Sequence, residues 1–137
     1  MPDADMSWVR VLEHHAARTP DKPLAVCDGR AVTYHDMADR AARIGAGLIE
    51  SGVRDGDVVG LLAYNSTEFL TTIFAANHIG AIAMPINWRL AAPELRYLLE
   101  HSQARALVCD PALAGLADAA TEGLAHDLAK VCIAADT

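Results

Sequence analysis

The sequence predicts an α/β fold, a mainly parallel sheet with helices on both faces. Three observations carry this. Val58 to Ala63, Ala81 to Met84 and Ala106 to Cys109 are short apolar runs without a charge, the pattern of strands covered on both sides. The segments between them repeat apolar residues at helical spacing. Strand and helix then alternate along the chain, which requires right-handed crossovers in a parallel sheet. The 137 residues suffice for one small domain with a core.

In order, Ser7 caps a helix running to Ala17, with Trp8, Leu12 and Ala16 on one face. Two prolines in Arg18-Thr-Pro-Asp-Lys-Pro break it. Leu24 to Cys27 and Ala31 to Thr33 pair through a turn at Asp28-Gly29-Arg30. Thr33 caps the next helix, with Asp36 at capping-box spacing. Its face runs Met37, Ala41, Ile44, Leu48, with Ala38, Gly45 and Ile49 beside it, and Gly52 ends it. Gly45-x-Gly47 lies inside this helix and lacks a third glycine, so it serves close packing rather than a nucleotide. Val58 to Ala63 is the central strand.

Asn65 caps a third helix whose face is Phe69, Ile73 and Ala76, flanked by Leu70 and Phe74. Gly80 suits its end. Ala81 to Met84 is a strand that must stop at Pro85, which has no N–H for a ladder. Pro93 opens a fourth helix with Leu95, Leu98 and Leu99 inward. Ala106 to Cys109 is a buried strand, Pro111 to about Glu122 an Ala-rich helix, and Val131 to Ala134 a last strand.

Composition narrows the function. A net charge of -7 with no basic run argues against nucleic acid and anionic membranes, and 5% aromatic residues supply few stacking platforms. The start, Met-Pro-Asp-Ala-Asp-Met, is acidic and lacks the basic start and apolar core of a secretory signal, so a cytoplasmic location is expected. The uncharged stretch between Phe69 and Trp88 has the length of a membrane span, but polar residues, Gly80 and Pro85 divide it into a helix and a strand. Cys27, Cys109 and Cys132 fit neither a disulfide framework nor a zinc motif and read as small buried hydrophobes. His14, His15, His35, His78, His101 and His126 show no triad or ligand spacing. No catalytic residue and no metal ligand is therefore assigned. No Gly-x-x-x-x-Gly-Lys phosphate loop occurs. What remains is Asn87-Trp88-Arg89, an amide, an indole and a guanidinium on the loop beyond a strand's carboxyl end, where open α/β sheets bind ligands.

Gly80-Ala-Ile-Ala-Met-Pro-Ile-Asn, then Trp88-Arg-Leu and Pro93-Glu-Leu, resemble the early core motif of the adenylate-forming (AMP-binding) enzymes. Val32-Thr-Tyr-His-Asp-Met and Gly52-Val-Arg-Asp-Gly-Asp are similar to further landmarks of that family, in order. Asn87-Trp88-Arg89-Leu90 resembles the fatty-acyl-CoA ligase branch. Amino-acid-activating domains of peptide synthetases usually carry aspartate and proline, then tyrosine and proline. Ala92 departs from the family, where a capping Ser or Thr is common.

The resemblance implies that residues 1–137 are the first part of the large N-terminal domain of an acyl-CoA ligase, with 1–6 expected to be disordered. Such an enzyme activates a fatty or aromatic carboxylic acid with ATP and magnesium to acyl-AMP, then transfers the acyl group to CoA. It also implies that Arg89 lies near the CoA nucleotide, in contact with a phosphate. Read without the resemblance, Arg89 is equally a surface residue paired with Glu94 or a helix end. The family's Ser/Thr/Gly-rich phosphate loop with its lysine, and the lysine of its mobile C-terminal domain, do not occur in this chain. The chain alone is expected to be inactive, and a sheet cut after a strand is expected to be poorly stable or self-associating. Two other readings stay open: a stand-alone, non-catalytic α/β binding or interaction module, and a flavodoxin-like nucleotide binder.

Overall fold

The computed structural model describes residues 7–133. The expected disorder of 1–6, and Ala134 of the expected last strand, lie outside the described residues. Helix α1 spans Trp8–Arg18, strands β1 and β2 Pro23–Cys27 and Arg30–Thr33, and α2 Tyr34–Glu50. Then come β3 Val58–Leu62, α3 Thr67–His78, β4 Ile82–Pro85, α4 Ala92–Ser102, β5 Ala106–Cys109, α5 Ala114–Thr121 and β6 Ala129–Cys132. β1 and β2 form a separate antiparallel hairpin whose two turn residues, Asp28 and Gly29, both have positive φ. The main sheet has the order β4-β3-β5-β6 and is parallel throughout.

The sheet separates two cores. On one face Val59, Leu61, Ala106 and Val108 pack with α2 and α3 through Met37, Ala41, Leu48, Phe74 and Ala75. On the other, Leu62, Leu107 and Cys109 pack with α4 and α5 through Leu95, Leu99, Ala117 and Ala120. This is the two-sided α/β arrangement the sequence predicts. Arg96 of α4 ties the second layer to the end of α5. It donates to the carbonyls of Glu122 and Gly123, the latter at 2.9 Å, and pairs with Glu100 at 3.0 Å.

Ser7 and Thr33 cap α1 and α2 as expected, accepting from the N–H groups of Arg10 and Asp36. Several other expectations need correction. The cap of α3 is Ser66, not Asn65: Ser66 Oγ accepts from Phe69 N–H at 3.1 Å. The buried face of α3 turns accordingly to Thr67, Thr71, Thr72, Phe74, Ala75 and Ala76, leaving Phe69, Leu70 and Ile73 half-buried. Threonine can occupy that face because Thr71 and Thr72 donate to the carbonyls four residues back, at 2.7 and 2.8 Å.

Trp8 is 66% exposed because the first turn of α1 overhangs the core, which begins at Leu12. In α2, Gly45 rather than Ile44 lies on the buried stripe. β4 is not covered on both faces. It is an edge of the described sheet, begins one residue later than expected, and leaves Ile82 exposed. The Ala-rich segment splits into a 3-10 turn at Pro111–Leu113 and the eight-residue α5. β6 begins two residues earlier than expected, in register with β5.

Gly80 has φ +77°, and a Cβ there would also meet the Asp55 carboxylate, so the turn from α3 into β4 favours glycine. The paired glycines of α2 differ. A Cβ on Gly45 would meet Ile79 Cγ2 at 3.0 Å and the Ala75 carbonyl at 3.3 Å, whereas one on Gly47 would meet nothing within 4 Å. Only Gly45 therefore serves close packing of α2 on α3. Gly45→Val should cost about 1–3 kcal/mol through overpacking. Gly47→Ala should gain about 0.5–1 kcal/mol of helix propensity. Urea melts of the two variants check the opposite signs.

Candidate functional site

All four strands of the main sheet point the same way, so their carboxyl ends form one edge. The loops after β3 and β4 leave this edge side by side. Tyr64 follows β3 and Trp88 follows β4; their rings meet edge to face, centroids 4.9 Å apart at 70°. Each is a little over one-third exposed. The Arg89 guanidinium lies 5.0 Å from the centre of the Trp88 ring, within cation–π range. Among the described residues Arg89 makes no ion pair. Glu94, its expected surface partner, instead accepts from the Ala91 N–H at 2.9 Å. That bond supports the start of α4, whose cap residue, Ala91, has no side-chain acceptor.

Asn87 has a different role from that expected. Its Oδ1 accepts from the Arg89 N–H at 3.0 Å and its carbonyl from the Leu90 N–H at 3.2 Å. The side chain folds the turn that presents Trp88 and Arg89. Ile86 anchors the root of this turn. Its N–H donates to the Leu61 carbonyl at 2.9 Å, extending the ladder past Pro85. Its side chain, 5% exposed, packs over β3 at Gly60. A Cβ on Gly60 would meet Ile86 Cδ1 at 3.2 Å and Leu107 Cδ1 at 3.1 Å. Glycine in the central strand is what lets Ile86 and Leu107 close over it.

A cavity of about 340 Å³ lies elsewhere. It opens on the α2–α3 face of the sheet and is lined in part by Ile44, Thr71, Val108 and Val131. The Trp88 loop does not border it. We place the candidate site at the loop because Arg89 is exposed there without an ion pair among the described residues, whereas in the cavity Arg43 is paired with Asp39 and the threonine hydroxyls bond within α3.

The histidines are dispersed. His15 packs on Tyr34 with centroids 5.2 Å apart, His101 stacks on Tyr97, and His126 Nε2 lies 2.9 Å from the Ala104 carbonyl oxygen. Among the described residues no group of three His, Cys, Asp or Glu side chains forms a metal set, and nothing here is assigned to magnesium. Tyr64 was missed in the sequence. Its signal was an aromatic residue just past the carboxyl end of the central strand. Nor are the cysteines uniformly buried: Cys109 is, Cys27 is half-buried and Cys132 is exposed.

Fold and edge together define an α/β protein of the kind that binds its ligand beyond the carboxyl ends of parallel strands. The sequence profile of the AMP-binding enzyme family matches residues 12–137. The chain belongs to that family. Over 114 residues it is 37% identical to the indoleacetate–CoA ligase of Aromatoleum aromaticum, covering 83% of this chain and 22% of that one. The anthranilate CoA ligase AuaEII, solved with anthranoyl-AMP, superposes with a TM-score of 0.86 at 31% identity, covering 91% of this chain and 24% of that one. A Mycobacterium tuberculosis fatty acyl CoA synthetase superposes with a TM-score of 0.81, also at 31% identity, covering 90% and 26%. The chain thus spans about a quarter or less of the length of these relatives. Among the described residues, no helix is long and apolar enough to cross a membrane.

The Tyr64–Trp88 contact should be measurable. In a double-mutant cycle of Tyr64→Leu and Trp88→Leu, read by urea unfolding, the coupling should be about 0.5–1.5 kcal/mol. A coupling near zero would separate the two loops.

Proposed function

We propose that this chain is part of the N-terminal domain of an acid–CoA ligase. The full-length enzyme would activate a fatty or aromatic carboxylic acid with ATP to acyl-AMP, then pass the acyl group to CoA. The observation that carries this reading is Arg89, a guanidinium without an ion pair among the described residues, beyond a strand's carboxyl end in a chain whose relatives include CoA ligases. The acid class follows from those relatives, which act on indoleacetate, anthranilate and fatty acids by name.

Arg89 is assigned to a phosphate of CoA. A guanidinium holds a phosphate through two parallel hydrogen bonds, and Trp88 keeps it at the sheet edge without neutralising it. Asn87 sets the turn and Ile86 fixes its root. ATP and magnesium would be held by the phosphate loop and other residues of the remaining enzyme, since this chain contains no such loop. The interaction-module reading has no specific observation in its favour.

A charge-assisted hydrogen bond contributes roughly 1.5–3 kcal/mol, so its loss lowers affinity about ten- to a hundredfold. In the full-length enzyme, Arg89→Ala should raise KM for CoA by that factor. Acyl-AMP formation without CoA, followed by ATP–pyrophosphate exchange, should stay nearly constant. Equal loss in both half-reactions would make Arg89 structural. The 137-residue chain alone should show no exchange above background with a panel of fatty and aromatic acids.

A further inference from the structure

Cys109 ends β5 and Cys132 ends β6, and the two are partners in the parallel register. Both face the α5 side: Cys109 lies in the core beneath α5, and Lys130, two residues before Cys132, pairs with Asp118 of α5 at 2.8 Å. Their sulfurs are 3.6 Å apart. We propose that this pair is a two-thiol site for a soft, thiophilic ligand that takes two sulfur donors, of the trivalent arsenical class.

Spacing and donor set together select the ligand. Two sulfurs bound to one centre at about 2.3 Å each lie roughly 3.3–3.8 Å apart for bond angles of about 90–110°, from pyramidal to tetrahedral, a range that includes the separation here. A disulfide needs about 2.05 Å, so the sulfurs would have to close by roughly 1.5 Å. At this separation both are free thiols, and the ladder holds them side by side through Ile133 N–H to the Cys109 carbonyl at 2.9 Å. A zinc-type site is disfavoured as well. Among the described residues no third His, Cys, Asp or Glu completes a set, and the neighbouring Asp118 is engaged by Lys130. Two thiols and no hard donor suit a soft centre.

The two thiols play unequal parts. Cys132 is exposed and is the point of entry, while Cys109 is buried behind it. Burial, and then the hydrogen bond with Cys132, push the Cys109 thiol up to about 12, so it stays protonated and inert to reagents that need a thiolate. With an arylarsine oxide, two As–S bonds form while the As=O bond and both S–H bonds break. The oxygen leaves as water with both protons, and arsenic remains trivalent, so no oxidant is needed.

The test uses the chain carrying Cys27→Ser, treated with one equivalent of phenylarsine oxide and read by intact mass. The expected product is a single adduct that survives excess 2-mercaptoethanol and is released by 2,3-dimercaptopropanol. Adding Cys132→Ser, an exposed position that leaves the core intact, should weaken retention about a hundredfold, because the second sulfur then no longer acts at high effective concentration. Cys109→Ser should do the same. Absence of a monothiol-resistant adduct in Cys27→Ser, or its persistence in Cys27→Ser/Cys132→Ser, would overturn the proposal.

Discussion

The bare backbone of Gly60 is the constraint on which the sheet edge depends. Gly60 lies in the middle of β3, a strand paired on both sides, by β4 and β5. Ile86 and Leu107 approach it so closely that an added Cβ would require their side-chain ends to give way slightly. Ile86 is the last residue before the Asn87 turn, and its burial fixes where that turn leaves the sheet. Position therefore passes from a missing side chain, through one isoleucine, to Trp88 and Arg89. The main-chain bond from Ile86 to Leu61 fixes the same point from the backbone side. Such rigid support from packed strands is what a binding loop requires.

The parallel sheet supplies the second requirement, convergence. Four strands running one way bring separate loops to one edge, and Tyr64 meets Trp88 there although the two are far apart in sequence. The guanidinium over the indole keeps its full charge, since an aromatic ring attracts a cation without neutralising it. Had Glu94 taken Arg89, the edge would offer no net positive group. Glu94 is held instead by the Ala91 N–H, where no capping hydroxyl is available. The uncapped start of α4 and the unpaired arginine are thus two sides of one arrangement.

Much of this was legible in the sequence, for physical reasons. Charge-free runs such as Val58 to Ala63 and Ala106 to Cys109 marked strands because a strand in a two-sided sheet meets apolar layers on both faces. Thr33 and Asp36 marked a helix start because the spacing itself makes the bond. The errors cluster where local pattern gives no answer. Asn65 and Ser66 are both good caps, and only the path of the loop chooses between them. Ile82 is apolar yet exposed, because strand order decides which strand lies at an edge, and order is not written in any one segment. For the same reason the pairing of Tyr64 with Trp88, and of Cys109 with Cys132, became visible only in three dimensions.

The most direct measurement is a crystal structure of the full-length enzyme with adenosine 3′,5′-bisphosphate, the phosphate-bearing nucleotide portion of CoA. A phosphate should lie within about 3 Å of the Arg89 guanidinium, in a two-pronged contact at the edge formed by the Tyr64 and Trp88 loops. A nucleotide bound elsewhere, with Arg89 in solvent or paired to Glu94, would contradict the account.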